Sequence, residues 1–483
     1  MRLSSLIQHI SLFSRLMGKT EESLDLNSLV VTDISDNGEG LARIDNRVVF
    51  IKGAVPGDVV NAHVYKKQKK FFQANLESII TPSPDRVIPF CTHFGVCGGC
   101  KWQHLSYEKQ VEFKQKHVYD ALVRIGKLEI PGIEPILGSV RIKNYRNRLD
   151  FSCADKKWLT KQELQSGLPM KEDVIGFHVP GRFDKVLSIE NCHLMDERVN
   201  LIRNEIRSFA VKNKFSFFDP VNQTGFLRDI IFRHTSTDEW MLIVVFREEK
   251  AAEIELLMNH IITRFPFITS LLYIINHKRN DTIFDLPVNL YSGKDHITEK
   301  MGDLKFKISA KSFYQTNSYQ AWELYKVAAR FAGLSETELV YDLYTGTGTI
   351  ANFIASRSKH VIGIDNVPDA IEDAKENSLN NGIKNTTFIA GDLKATLTNE
   401  FVAKHGTPDV IITDPPRSGM HPDTVTKMAE FSPRRIVYVS CNPSTQARDI
   451  AMISDKYRIT RVQPVDMFPH TTHVENVVLL EKK

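Results

Sequence analysis

Between Leu339 and Cys441 five apolar, β-branched runs alternate with helical stretches, and each run ends on a residue that can do chemistry. LVYDL leads into Tyr344-Thr-Gly346-Thr-Gly348-Thr349, VIGID ends at Asp365, TTFIA precedes Asp392, the run Asp409 to Thr413 precedes Asp414-Pro-Pro-Arg417, and VYVS ends at Cys441-Asn-Pro-Ser444. Short buried strands separated by helices predict an α/β fold with a doubly wound, mostly parallel sheet. Such a sheet holds its ligands at the carboxyl ends of its strands, so these residues should share one edge.

The first of those loops reads as a nucleotide site. Gly346 and Gly348 let the backbone approach a ligand before the helix that opens at Ile350. Asp365, nineteen residues beyond Gly346, is placed for ribose hydroxyls, and Asp392 could meet an adenine amino group. Gly346-x-Gly348-x-x-Ala351 also fits a dinucleotide fingerprint, so this stretch alone leaves a dehydrogenase open, although no hydride-transfer site is evident. Cys441 is either an inert buried thiol or a nucleophile. Its place after a strand, at the ligand edge of the sheet, favours the nucleophile.

A chain of 483 residues exceeds what one core supports, so several domains are expected. Residues 1–24 form an amino-terminal extension. Arg2, Arg15 and Lys19 without acids faintly resemble a transit peptide, while the second methionine, Met17, favours an over-long start. Residues 25–83 show short β-type runs broken by turn signals such as Asp36-Asn37-Gly38, the pattern of a small all-β barrel. Its hairpin tip, Lys66-Lys-Gln-Lys-Lys70-Phe71-Phe72, offers cations and aromatic faces to a nucleic acid. Bulk charge, only +4, permits RNA binding and no more. No apolar run approaches the roughly 18 residues of a membrane span, so a soluble, cytoplasmic protein is expected. Nothing in the sequence points to a protein partner.

Residues 84–312 form a strand-rich α+β central domain, with helices expected at Asp196–Ala210 and Ala251–Thr263. It opens on Cys91-x5-Cys97-x2-Cys100, with Gly95, Gly98 and Gly99 allowing a tight fold around something small. Three thiols so spaced indicate a metal site, and Cys153, Cys192, His93 and His104 are candidates for a fourth ligand. Cys192 is preferred because SIENCHLM is a polar, turn-like setting, whereas Cys153 lies in an alternating strand. Sulfur ligation allows zinc or an iron-sulfur cluster. A helix over 106–126, with Val111, Val118, Leu122 and Ile125 on one stripe and lysines and glutamates opposite, should pack on the catalytic domain. Tyr145-Arg146-Asn147-Arg148 is basic enough to meet phosphates or a splayed base. Residues 313–483 form the Rossmann-like domain, entered through a helix over Tyr319–Phe331.

The nucleotide loop, DPPR, SCNP and the terminal His473-Val-Glu475-Asn476-Val together resemble the RNA uracil-5-methyltransferase family, and in particular its iron-sulfur 23S ribosomal RNA branch. The resemblance runs from about Asn27 to Leu480 and makes residues 25–83 similar to a TRAM domain. It implies S-adenosyl-L-methionine as methyl donor, a 4Fe-4S cluster and RNA, ribosomal rather than transfer, as substrate. Carried over motif by motif, it makes Gln315, Tyr344, Thr349, Asp365, Asp392 and Asp414 cofactor-binding, Cys441 the nucleophile and Glu475 the base. It makes Cys91, Cys97, Cys100 and Cys192 the cluster ligands. Thr349 stands where some members of the family carry asparagine, and Asp365 where others carry glutamate.

That chemistry needs these residue types. Carbon 5 of uracil is a poor nucleophile until a thiolate adds to carbon 6, and afterwards a base must remove the carbon-5 proton. Phe313 or Tyr314 could fill the gap left by an extruded base. Two other readings remain at this point: the same chemistry on transfer RNA, and a non-catalytic RNA-binding or assembly factor.

Overall fold

A computed structural model describes residues 24–169 and 171–483. The expected extension, residues 1–24, lies outside them apart from Leu24. The chain separates into two compact units, the first ending at Val87 and the second running from Ile88 to Lys483.

In the first unit, strands β1 (Leu24–Val30), β2 (Asp33–Ile34), β3 (Gly40–Ile44), β4 (Arg47–Lys52), β5 (Val59–Lys67) and β6 (Phe71–Thr81) form one sheet in the order β1-β5-β6-β4-β3-β2. Only Val31 and Thr32 separate β1 from β2, so the two ends of the sheet belong to one bent stretch of chain and the sheet closes into a barrel. Alternation along β5 buries Val60, Ala62 and Val64, with Val49, Ile51 and Ala74 facing them. The lysines of the β5–β6 hairpin tip are exposed, whereas Phe72 is 7% exposed and belongs to the core.

The second unit contains two large sheets. The central one comprises β7 (Arg148–Lys156), β8 (Lys171–His178), β9 (Val186–Ser188), β10 (Leu227–His234), β11 (Trp240–Phe246), β12 (Ile268–Ile275) and β13 (Asn289–Gly293), in the order β13-β12-β11-β10-β7-β8-β9. Its one parallel pair, β11 and β12, is joined by the helix Ala251–Arg264, as a parallel connection requires. Helix Arg198–Lys212 covers the same face. A hairpin of β14 (His296–Met301) and β15 (Leu304–Ser309) leads to the last third of the chain.

There β16 (Leu339–Leu343), β17 (His360–Asp365), β18 (Thr386–Ala390), β19 (Val410–Thr413), β20 (Arg435–Ser440), β21 (Tyr457–Val465) and β22 (Glu475–Lys482) form a sheet in the order β18-β17-β16-β19-β20-β22-β21. The first five strands are parallel and β22 is inserted antiparallel beside β20. The expected strands and the reality differ by a residue or so at each end. Both faces are covered, which is why the strands read as continuous apolar runs. Helix Ser318–Ala332 packs across one face, begun by the Asn317 side chain accepting from the Gln320 N–H and ended by Gly333 at φ 57°.

The helix expected over 106–126 runs from Tyr107 to Tyr119 and finishes in a π-helical turn, Asp120–Ile125, with Val118 and Leu122 in the core of the catalytic sheet. Two expectations for it change. The wider last turn rotates Ile125 off the apolar stripe, leaving it 63% exposed. Lys114, one of the lysines expected opposite the stripe, stands three residues after Val111 and four before Val118, on the stripe itself, and is fully buried and paired with Asp466 at 2.6 Å.

Candidate active site

Sheet order gathers the motif residues at one edge. Tyr344, Asp392 and Asp414 follow the carboxyl ends of β16, β18 and β19, Asp365 is the last residue of β17, and Cys441 follows β20. Because β22 runs the opposite way, its first residue reaches the same edge. Ser440 pairs with Asn476, so the next position along each strand brings Cys441 beside Glu475. The chain order reverses between β16 and β19, the point at which open α/β sheets bind ligands.

The nucleotide loop is tied to its neighbours by hydrogen bonds. Asp365 accepts from the Gly346 N–H and the Val367 N–H, each at 2.9 Å. Tyr344 sits at φ 63°, a left-handed conformation that costs a side-chain-bearing residue energy and concentrates at functional sites. A Cβ on Gly346 would meet nothing within 4 Å, so the backbone there faces open space. Beneath the loop, Asp342 Oδ1 and both polar atoms of the Asn352 side chain are buried without partners. An edge with free backbone and unmatched polar atoms fits an adenosyl ligand. Thr349 opens a helix, its hydroxyl 3.3 Å from that of Tyr325, while Asp392 is exposed and caps a short helix by accepting from the Lys394 N–H.

Gln315 arrives from another direction. Asn147 donates through Nδ2 to the Gln315 carbonyl at 2.9 Å and to Ser318 Oγ at 2.8 Å, and Thr347 Oγ1 donates to the Phe313 carbonyl at 3.3 Å. The segment carrying Gln315 is thus pinned between the central sheet and the nucleotide loop. Of the two aromatics before it, Phe313 is 68% exposed and Tyr314 is buried against Phe306. The basic run also divides: Tyr145 and Asn147 are buried and structural, Tyr145 donating to the Pro469 carbonyl at 3.0 Å.

Cys441 is held by the loop it precedes. Asn442 caps the helix Pro443–Ala451 by accepting from the Ser444 N–H, and its Nδ2 donates to the Arg417 carbonyl at 3.0 Å. Gln446 donates to the carbonyls of Tyr438 and Asn476, locking that helix across β20 and β22. Burial pushes the Cys441 thiol up to about 12, with Glu475 and Asp414 adding to the shift and Arg417 opposing it. Burial likewise raises Asp414 to about 7, helped by Asp342, and lifts Glu475 well above the usual carboxylate range, helped by Asp414 and opposed by Arg417. Arg417 Nη2 lies 3.2 Å from His473 Nδ1, and burial lowers His473 to about 4, so its imidazole is neutral. Arg417, His473, Asp342 and Tyr325 were not singled out as site residues by the sequence. Arg417 and His473 stand inside motifs it did single out, DPPR and HVENV, while Tyr325 lies among ordinary apolar positions of a helix.

The second centre is a cavity of about 710 Å³ lined by Cys91, Cys97, Cys100 and Cys192, together with Arg146, Arg148 and Phe313. Cys153 is instead buried at 2% exposure inside the central core. Burial raises Cys100 to about 12 and Cys192 to about 11, and the thiols raise one another. The N–H groups of Gly99 and Leu194 are directed at the sulfurs of Cys97 and Cys192, an arrangement that suits thiolates around a cationic group. Among the described residues no three His, Cys, Asp or Glu side chains close on one point as ligands of a single ion do.

A family model described as tRNA (Uracil-5-)-methyltransferase matches residues 289–483, and one for the TRAM domain matches 29–76. An uncharacterized RNA methyltransferase of Bacteroides thetaiotaomicron is 54% identical over 448 residues, 92% of this chain and 99% of that protein. Another, from Chlorobaculum tepidum, is 38% identical over 466 residues, 95% of this chain and 96% of its own. Among solved structures, the Pyrococcus abyssi tRNA (uracil-54, C5)-methyltransferase in complex with S-adenosyl-L-homocysteine superposes with a TM-score of 0.71 at 29% identity, covering 93% of this chain and 99% of that one. With the expected TRAM domain and methyltransferase fold both found, the chain belongs to the RNA uracil-5-methyltransferase family and is an S-adenosylmethionine-dependent RNA methyltransferase.

Proposed function

We propose that the protein methylates carbon 5 of a uracil in 23S ribosomal RNA through a transient bond between Cys441 and carbon 6. The observation that carries this reading is that Cys441, immediately after β20, lies beside Glu475, the first residue of β22, at the same edge as the nucleotide loop. As Cys441 Sγ adds to carbon 6, the ring's π electrons move onto carbon 5 and the carbon-4 carbonyl, forming an enolate. S-adenosylmethionine supplies the electrophilic methyl group and brings a positive charge that favours ionised Cys441. Carbon 5 takes the methyl group, the donor leaving as a neutral thioether. Glu475 then takes the carbon-5 proton, the double bond reforms and the carbon–sulfur bond breaks, returning the Cys441 thiolate. Gln315 and Arg417 are the donors available to the enolate oxygen. Phe313, exposed beside Gln315, takes the place of the extruded base.

Tyr344, Thr349, Asp365, Asp392 and Asp414 bind the donor, with Gln315 closing over it. Asp365 keeps lone pairs for the ribose after holding Gly346. Asp365→Ala should weaken S-adenosylmethionine binding by about 10- to 100-fold, the scale of a hydrogen bond to a charged group. Unchanged affinity in calorimetry would remove Asp365 from the site.

Cys91, Cys97, Cys100 and Cys192 are the ligands of a 4Fe-4S cluster. The four cysteines line one cavity, and a set of four sulfur ligands suits such a cluster. Anaerobic purification is expected to give a brown protein carrying iron and sulfide. Stoichiometric zinc without iron would refute the assignment.

Ribosomal RNA is preferred on the resemblance of the cysteine run to the iron-sulfur branch. Transfer RNA is the second reading, favoured by the named substrate of the Pyrococcus relative. Incubation with labelled S-adenosylmethionine and total RNA separates them. Label in 23S ribosomal RNA is expected, label confined to transfer RNA would replace the substrate, and no label in any RNA would leave a binding factor.

A further inference from the structure

We infer that the cysteine loop positions Glu475, acting through the backbone of His470; this rests on the reading above of the four cysteines as ligands and of Glu475 as base. The first two N–H groups after Cys100, those of Lys101 and Trp102, both donate to the His470 carbonyl, at 2.8 and 3.1 Å. Gln110, fully buried, closes the same junction. Its Oε1 accepts from the His470 N–H at 2.9 Å, and its Nε2 donates to the carbonyls of Trp102 and Leu105 at 2.9 and 2.8 Å. Phe90, which precedes Cys91, sets its ring edge-on against His470 at 5.0 Å and against His193, which follows Cys192, at 5.5 Å.

His470 itself sits at φ 65°, a left-handed conformation for a residue with a side chain, which persists only where neighbours over-determine it. Those neighbours are the cysteine loop and Gln110. Glu475 lies five residues further on. Upstream, Asp466 is anchored independently by Lys114 at 2.6 Å and by the Tyr107 hydroxyl at 2.8 Å. Between Asp466 and β22 the backbone is also held at Met467 by Asn317, at Phe468 by Lys114 and at Pro469 by Tyr145, so releasing the loop loosens the stretch from His470 onward, which carries His473 and ends at the base. Cys441 is held by bonds that do not involve the cysteine loop, from Asn442 to the Arg417 carbonyl, from the Ser444 N–H to Asn442 and from Gln446 to the Tyr438 carbonyl. Emptying the cysteine cavity should accordingly slow proton removal from carbon 5 while leaving thiol addition in place.

The test compares full-length protein as purified anaerobically with the same protein stripped of metal by oxidation and chelation. Each is incubated with S-adenosylmethionine and the RNA transcript that accepts label. Hydrogen exchange is read on peptides spanning 466–476 and 437–449, and covalent protein–RNA adduct on denaturing gels. Stripping is expected to speed exchange in 466–476 by at least about tenfold, leave 437–449 unchanged and raise the adduct. Gln110→Leu, which touches no cysteine, should raise the adduct at unchanged metal content. Equal exchange in 466–476 before and after stripping overturns the inference, as does loss of adduct together with turnover. Glu475→Gln run alongside tells the two readings apart: no adduct from that variant indicts the base, whereas adduct there but none in the stripped protein indicts only the coupling. The exchange comparison uses the natural sequence and does not depend on any variant folding.

Discussion

Cys441→Ala is expected to abolish methyl transfer, lowering turnover by about 10⁴-fold or more, the scale on which loss of a covalent nucleophile acts. Donor binding should survive, because Tyr344, Asp365 and Asp392 lie at the carboxyl ends of β16, β17 and β18, on the other side of the sheet's switch point from β20. The fold should survive as well, since Asn442, Gln446 and the strand pairing hold the segment independently of the sulfur. Filter binding of label to RNA, beside calorimetry of the donor, reads both halves of the prediction. Retained turnover would end the covalent mechanism.

Glu475→Gln should lower turnover by about 10²- to 10⁴-fold, the contribution of a positioned base, and accumulate an RNA-linked protein band. Glutamine matches the protonated carboxyl in shape, and burial already favours the protonated form of Glu475, so the substitution should cost little stability. The pH dependence follows from the direction of that shift. A base works only when deprotonated, so the elimination-limited rate should rise with pH through a midpoint well above the ordinary carboxylate range. The charge of Asp414 adds to the upward shift that burial gives Glu475, and Arg417 opposes it. Glu475→Gln should lose this rising limb. A variant with no adduct and an unchanged profile would take Glu475 out of the reaction.

Much of this site can be read from sequence because a parallel sheet converts linear order into spatial order. Each run from LVYDL to VYVS ends at the same edge, so Tyr344, Asp365, Asp392, Asp414 and Cys441 are recognisable before any geometry is known. Glu475 is harder, since its place beside Cys441 depends on β22 being inserted antiparallel, which HVENV alone does not reveal. Contacts between distant segments leave no local trace. Lys114 falls on the apolar stripe between Val111 and Val118, but nothing near it announces its buried partner, Asp466, which lies 352 residues away. The same holds for Gln110 and His470, separated by 360 residues. Ile125 was misplaced because one π-helical turn breaks the 3.6-residue period on which its assignment rested.

The central claim is a bond from one sulfur to carbon 6 of uracil, and RNA carrying 5-fluorouridine tests it most directly. Fluorine at carbon 5 leaves no proton to remove, so the methylated adduct cannot eliminate. Nuclease and protease digestion followed by mass spectrometry is predicted to find methylated fluorouridine on the peptide containing Cys441. An adduct on a different residue, or none from a preparation that methylates the natural RNA, would contradict the account.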